Sequence, residues 1–159
     1  MMEYRNDSVR RQDRLLGEER ARELLRGGEY GFLAMASDEG AYGIPVNYVA
    51  EGDTIYIHCA PDGRKLRAIA ADARVSFCVV GVTRPAPERF TTAYESIVVS
   101  GRARVVESDD ERRHALELLV GKYAPDYAAV GEKYIDKSFH RTAVIAIDAE
   151  WWSGKTKRV

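Results

Sequence analysis

The densest chemistry in this sequence lies in His58-Cys59-Ala60-Pro61-Asp62-Gly63-Arg64-Lys65. An imidazole and a thiol end an alternating run, Thr54-Ile55-Tyr56-Ile57-His58-Cys59, and a Pro-Asp-Gly turn follows. Residues 64–71 then read as a two-turn helix, with Leu66, Ile69 and Ala70 on one side. Arg64, Lys65 and Arg67 crowd its first turn, the end at which the helix dipole disfavours positive charge. That placement is tolerable if an anion, most commonly a phosphate, binds the free backbone N–H groups and the side chains together. The alternative is three solvated charges on a surface helix with Asp62 as its N-cap; the sequence leaves both open. His58 could exchange a proton near neutral pH. Taken alone it reads as a histidine satisfied by a neighbour, and it gains meaning only beside the anion loop.

Other patterns are less productive. His58, His114 and His140 are scattered, and no Cys-x-x-Cys or His-x-x-x-His spacing occurs, so no metal site is expected. Nucleophile-elbow, P-loop and dinucleotide fingerprints are all missing. Cys59 and Cys78 read as small core residues of two strands, and Asp109, Asp110 and Glu111 as capping residues rather than paired catalytic carboxylates. Trp151-Trp152 is either a packing anchor or a stacking surface, and the cluster from Lys155 to Arg158 a solvated end.

The elements that must position these groups follow from periodicity. Glu18–Arg26 predicts a short helix with an Ala21, Leu24, Leu25 stripe, stopped by Gly27-Gly28. Strands are expected at Phe32–Met35, Tyr42–Val49, Thr54–Cys59, Val75–Val80, Ser96–Val106 and Ala143–Ile147. Pro45 places the second of these at a sheet edge or a bulge, and Gly101 predicts a bend in the long fifth one. The short connections force antiparallel pairing. Ser108-Asp109-Asp110-Glu111 is a capping box that opens a helix through Tyr123, and Asp126–Phe139 holds a weaker one. If Ile55 and Ile57 fill the interior, Tyr56 and His58 face outward beside the anion loop. The class is mainly β (α+β): six antiparallel strands closed into a small barrel with flanking helices, preceded by a polar arm over residues 1–16.

Composition bounds the partners. The 159 residues favour one domain, residues 17–159 after the arm. Lys+Arg number 24 against 25 Asp+Glu, a near-neutral balance that argues against a dedicated nucleic-acid or acidic-membrane binder. Two cysteines are too few for a disulfide scaffold, and no apolar run reaches a membrane span or a signal-peptide core, so a cytoplasmic protein is expected.

Over about 145 residues the chain resembles the pyridoxamine-phosphate-oxidase-like flavoproteins, in particular the 5-nitroimidazole-resistance branch. The resemblance runs from Arg11-Gln12-Asp13-Arg14 through Tyr30–Ala34, Ile44-Pro45-Val46-Asn47-Tyr48, Ile55–Ala60 with Gly63-Arg64-Lys65, Tyr94–Ala103 and Leu119–Pro125 to Ser153-Gly154-Lys155. It implies a homodimeric split β-barrel binding one FMN in each of two clefts between subunits. In that reading the backbone of Pro45, Val46, Asn47 and Tyr48 runs along the isoalloxazine ring. His58, Cys59, Gly63, Arg64 and Lys65 reach the ribityl phosphate, Ser96 approaches the flavin, and Trp152 and Lys155 close the cleft. His58 is then the favoured catalytic residue of an FMN-dependent oxidoreductase, one reducing nitro compounds such as 5-nitroimidazoles. A flavin-, deazaflavin- or haem-binding module with little turnover is the alternative. The family's common Tyr-Arg-Ser is Tyr94-Glu95-Ser96 here, an anion in place of a cation.

Overall fold

Two fifteen-residue strands, β8 (Thr91–Val105) and β9 (Ala143–Lys157), form the spine of the molecule, a computed structural model that describes residues 2–159. Around them run β1 (Glu3–Tyr4), α1 (Glu18–Gly27), β2 (Gly31–Met35), β3 (Tyr42–Val46), β4 (Val49–Glu51), β5 (Thr54–Cys59), α2 (Arg64–Ala71), β6 (Arg74–Val80) and β7 (Arg84–Ala86). Two further helices, α3 (Asp109–Tyr123) and α4 (Ala128–Ser138), sit between the long strands in sequence. The sheet path is β3-β2-β6-β8-β9-β5-β4, antiparallel at every step. Its two ends are consecutive strands, separated only by Asn47 and Tyr48. There the chain steps from one sheet edge to the other, so the barrel is split at these two residues.

The strands exist because their inward positions are apolar and alternate. Leu33, Phe77, Ile55, Ile57, Ile97, Val99, Ile145 and Ile147 are essentially fully buried in one core. A second, smaller core lies on the other side of β5 and β9, where Tyr56, Val144 and Ala146 meet Ala115, Leu116 and Leu119 of α3 and Ile135 of α4. Pro45 falls on the edge strand β3, where a missing N–H leaves no ladder bond unmade. The expected bend at Gly101 is a register shift between Ser100 and Gly101 in the β8–β9 ladder. A Cβ at Gly101 would lie 2.3 Å from the Asp148 carbonyl oxygen, so only glycine lets the strands approach this closely. Ser108 caps α3 by accepting a bond from the Glu111 N–H at 3.2 Å.

Several expectations need correcting. Among the described residues there are nine strands rather than six, since tertiary pairing recruits segments with weak periodicity of their own. Tyr42–Val49 breaks into β3 and β4 at the split, and the loop before Thr91 carries β7. The closing tail continues β9 to Lys157, each residue from Ser153 on paired with β8. The arm is docked on its own chain. Glu3 and Tyr4 pair in parallel with Trp151 and Trp152, Leu16 is buried, and the Tyr4 ring stands edge-on to Trp152 at 4.8 Å. Tyr56 faces away from the core of Ile55 and Ile57 as expected, yet α3 covers it and its hydroxyl donates to Glu111 at 3.0 Å. Among the described residues no helix is long and apolar enough to cross a membrane.

Candidate functional site

At the end of β5 a cavity of about 600 Å³ opens between the barrel and the α3–α4 pair. Asn47, His58, Cys59 and Ala60 form one wall; Leu116, Leu119, Val120 and Tyr123 of α3 and Tyr134, Ile135 and Ser138 of α4 form the other, and Arg141 and Thr142 also line it. Three of the expected site residues, Asn47, His58 and Cys59, are thus brought together. Burial and the Lys65 charge both push the His58 imidazole below its ordinary value, so it is neutral at pH 7. Burial pushes the Cys59 thiol up, with Lys65 opposing, so it stays protonated. Among the described residues neither cysteine is in a disulfide, and no His, Cys, Asp and Glu cluster suits a metal ion.

The entrance to α2 lies beside this wall. Gly63, at φ +140°, is the N-cap, and no side chain caps the helix; Asp62 does not. No acidic residue stands in the first turn. The three expected cations divide. Arg67 is bound bidentately by Glu39 at 2.9 and 3.1 Å, and the guanidinium holds that carboxyl below its ordinary value. Arg64 lies over the Tyr42 ring at 4.2 Å and donates through Nη2 to the Glu39 carbonyl at 3.2 Å, while its buried Nε has no partner. Lys65 is half-buried, with no ion-pair partner among the described residues.

The split is stitched from the C-terminal turn of α3. Lys122 Nζ donates to the Tyr48 carbonyl at 2.9 Å and lies 3.8 Å above the Tyr48 ring. The Tyr123 hydroxyl accepts the Tyr48 N–H at 3.0 Å and donates to the Glu29 carbonyl at 2.6 Å, which also accepts from Asn47 Nδ2 at 3.0 Å. The Tyr48 side chain points into the core, its ring edge-on to Phe77, so only its backbone faces the split. Burial pushes Lys122 down to about 8.

The remaining expected residues lie elsewhere. Ser96 and Lys155 are cross-strand partners at the far end of β8 and β9. His58 pairs with Val144, eleven residues before Lys155 on β9, roughly 35 Å of strand at about 3.3 Å per residue. Trp152 is fully buried and its ring faces Tyr4, so it packs the core and does not close a cleft. Pro45 and Val46 sit on the edge strand, Val46 packed against the core and Pro45 exposed.

Pro45 belongs to an unusual outer surface. Two cross-strand ladders run side by side over five strands: Gly43–Ala34–Ser76–Ser100–Trp151 and Pro45–Phe32–Cys78–Val98–Ser153. Neither contains a Lys, Arg, Asp or Glu side chain, and Phe32 is 41% exposed. The next ladder is Val80–Ser96–Lys155, so this uncharged face ends at the second group of site residues.

Sequence reading does not single out Lys122, Tyr134 or Arg141, and Leu116 and Leu119, buried in the second core, also line the cavity. The helical stripe was visible, but α4 packs against only part of it, leaving a gap that periodicity does not report.

An antiparallel split barrel with an open cleft beside α3 and α4 defines a fold class that solved structures share. The resemblance to a protein from Bacteroides thetaiotaomicron assigned provisionally to 5-nitroimidazole antibiotic resistance has a TM-score of 0.72 at 20% identity, covering 90% of this chain and 86% of that one. The FAD- and haem-binding protein of Mycobacterium smegmatis gives 0.77 at 23% identity over 90% and 72% of the two chains. The flavocytochrome Anf3 of Azotobacter vinelandii gives 0.72 at 18% over 90% and 68%. No curated protein matches the sequence. The profile of the pyridoxamine 5'-phosphate oxidase family matches residues 17–156, and the chain belongs to that family.

Proposed function

We propose that the protein is a cytoplasmic FMN-dependent oxidoreductase that works as a homodimer, reducing nitro compounds such as 5-nitroimidazoles. The observation that carries this reading is the division of the site. His58, Cys59, Asn47 and Lys65 lie at one end of the barrel and Ser96 with Lys155 at the other, too far apart on one chain for one small cofactor. An uncharged sheet face joins the second group, the kind of surface that a second copy of the chain covers in a two-fold dimer. The two groups then meet across subunits.

The residues present suit a phosphorylated flavin. Among the described residues the N-terminus of α2 has no side-chain cap, Arg64 Nε is buried without a partner, and Lys65 has no carboxylate. Those groups would hold the phosphate, and the backbone of Pro45–Tyr48, fixed by Lys122, Tyr123 and Asn47, would flank the ring. FMN supplies the electron transfer when bound. His58 keeps one ring N–H beside the cavity at pH 7. Because its pKa is lowered, its service as a proton donor strengthens as pH falls below the ordinary 6.5.

The test is direct. Protein purified without added cofactor is expected to be yellow, and mass spectrometry of the released ligand to give FMN. Colourless protein that does not retain added FMN would overturn the reading. A deazaflavin or haem mass would correct the cofactor, and tight FMN binding without reduction of any nitroaromatic would make the protein a carrier or sensor.

A further inference from the structure

The cavity beside His58 has a chemistry of its own. Its body is carbon from Leu116, Leu119, Val120 and Ile135, and its volume lies in the range of small-molecule sites. In a chain with 25 Asp and Glu, not one lines it, and its single fixed cation is Arg141. Arg141 also differs from the arginines around it. Arg104 binds Glu111 and Asp148, Arg112 binds Asp109, and Arg113 binds Asp136, whereas Arg141 has no carboxylate partner among the described residues. The backbone that carries it is nevertheless held. Arg112 Nη1 donates to the carbonyls of Phe139 and Thr142 at 2.7 and 2.9 Å, clamping the turn that carries Arg141.

From this arrangement we infer that the cavity binds a small aromatic carboxylate, its ring against α3 and α4 and its carboxylate on Arg141. The body is aromatic because Tyr123, Tyr134 and His58 add rings to the aliphatic wall. The charged end is an anion because an unpaired guanidinium beside a carbon-lined cavity is completed by a bidentate carboxylate and repels a cation. Neutral His58 does not compete for it. Glu95, the anion that replaces the family's common arginine, is no obstacle. It is bound by Arg20 at 2.8 Å, at the other end of the barrel, opposite Thr156. As the substrate class of the same site this inference rests on the proposed oxidoreductase, although the binding itself can be measured without turnover.

The experiment compares 2-naphthoate with 2-naphthamide, equal in shape and different in charge, by calorimetry on the protein as purified, with and without saturating FMN. The naphthoate is expected to bind about tenfold more tightly, a preference that shrinks at high salt because Arg141 is exposed. Arg141→Gln should abolish the preference and Arg141→Lys restore part of it, while Leu119→Ala weakens both compounds alike. Equal binding of acid and amide, no binding of either, or a preference that survives Arg141→Gln would overturn the inference. Retained acid preference in protein that holds no FMN would sink the flavin reading and leave this one standing; FMN binding without acid preference would do the reverse.

Discussion

Tyr56 and His58 are two residues apart on one face of β5, and their surroundings could hardly differ more. Around Tyr56 every charge is answered. Its hydroxyl donates to Glu111, Glu111 binds Arg104 at 2.8 and 3.0 Å, and Arg104 also binds Asp148 at 2.8 Å. Around His58 little is answered: among the described residues Lys65 has no counter-ion, Arg64 keeps a buried N–H without a partner, and Arg141, which lines the neighbouring cavity, has no carboxylate. A folded chain of this size has ample acidic side chains with which to neutralise three cations. Where it does so, the network holds α3 to the sheet; where it does not, the polar groups are left for something that is not part of the chain. The difference separates structure from site more sharply than residue type does.

The largest effect that sets the two regions apart is on stability. Tyr56→Ala empties a buried aromatic position under α3 and leaves Glu111 without its phenol, at an expected cost of about 3–5 kcal/mol. His58→Ala removes a side chain on the cavity wall that has no hydrogen-bond partner among the described residues and should change stability by no more than about 0.5 kcal/mol. Urea denaturation of the two variants checks this. Comparable losses would show that His58 is as much a part of the scaffold as Tyr56, and the contrast would fail.

The next effect is on cofactor retention. Lys65→Ala should weaken FMN binding about tenfold, roughly 1.4 kcal/mol, since a charge-assisted contact to phosphate is removed. Lys157→Ala is the matched control: Lys157 already bonds the Thr91 hydroxyl and lies at the far end of β9. Fluorescence titration with FMN reads both. Equal retention would remove the phosphate from the α2 entrance.

How much of this was visible beforehand depends on whether the governing interactions are local. Although the Glu111 half of the expected capping box is taken by Arg104 and Tyr56, the helix from Arg64, the Ser108 N-cap, the edge position of Pro45 and the bend at Gly101 follow from residues near one another in the chain and appear as read. The division of labour among Arg64, Lys65 and Arg67 does not, because Glu39, which claims Arg67, arrives from 28 residues away. The sequence leaves Trp152 open between packing anchor and stacking surface for a similar reason: Tyr4, more than a hundred residues earlier in the chain, stands edge-on to it. The cavity itself is a shortfall in packing between α3 and α4, and no spacing rule reports what a helix pair fails to fill.

Lys122 stands between the two regions and offers the smallest and most discriminating effect. Its ammonium is answered by the Tyr48 carbonyl and ring, as in a structural network, yet no carboxylate faces it, and burial alone lowers it to about 8 from an ordinary 10.5. Between those values the unfolded chain binds the proton that the folded one has released, so stability contributed by this group rises with pH across the window. The wild type should therefore gain on Lys122→Met as pH goes from 7.5 to 10, by on the order of 1 kcal/mol, because the half-solvated amine feels only part of the burial. Paired urea titrations across that range read the difference directly. A gap between the two proteins that stays constant with pH would mean that the carbonyl and the ring compensate the buried charge fully, and Lys122 would then belong with Arg104 among the answered charges.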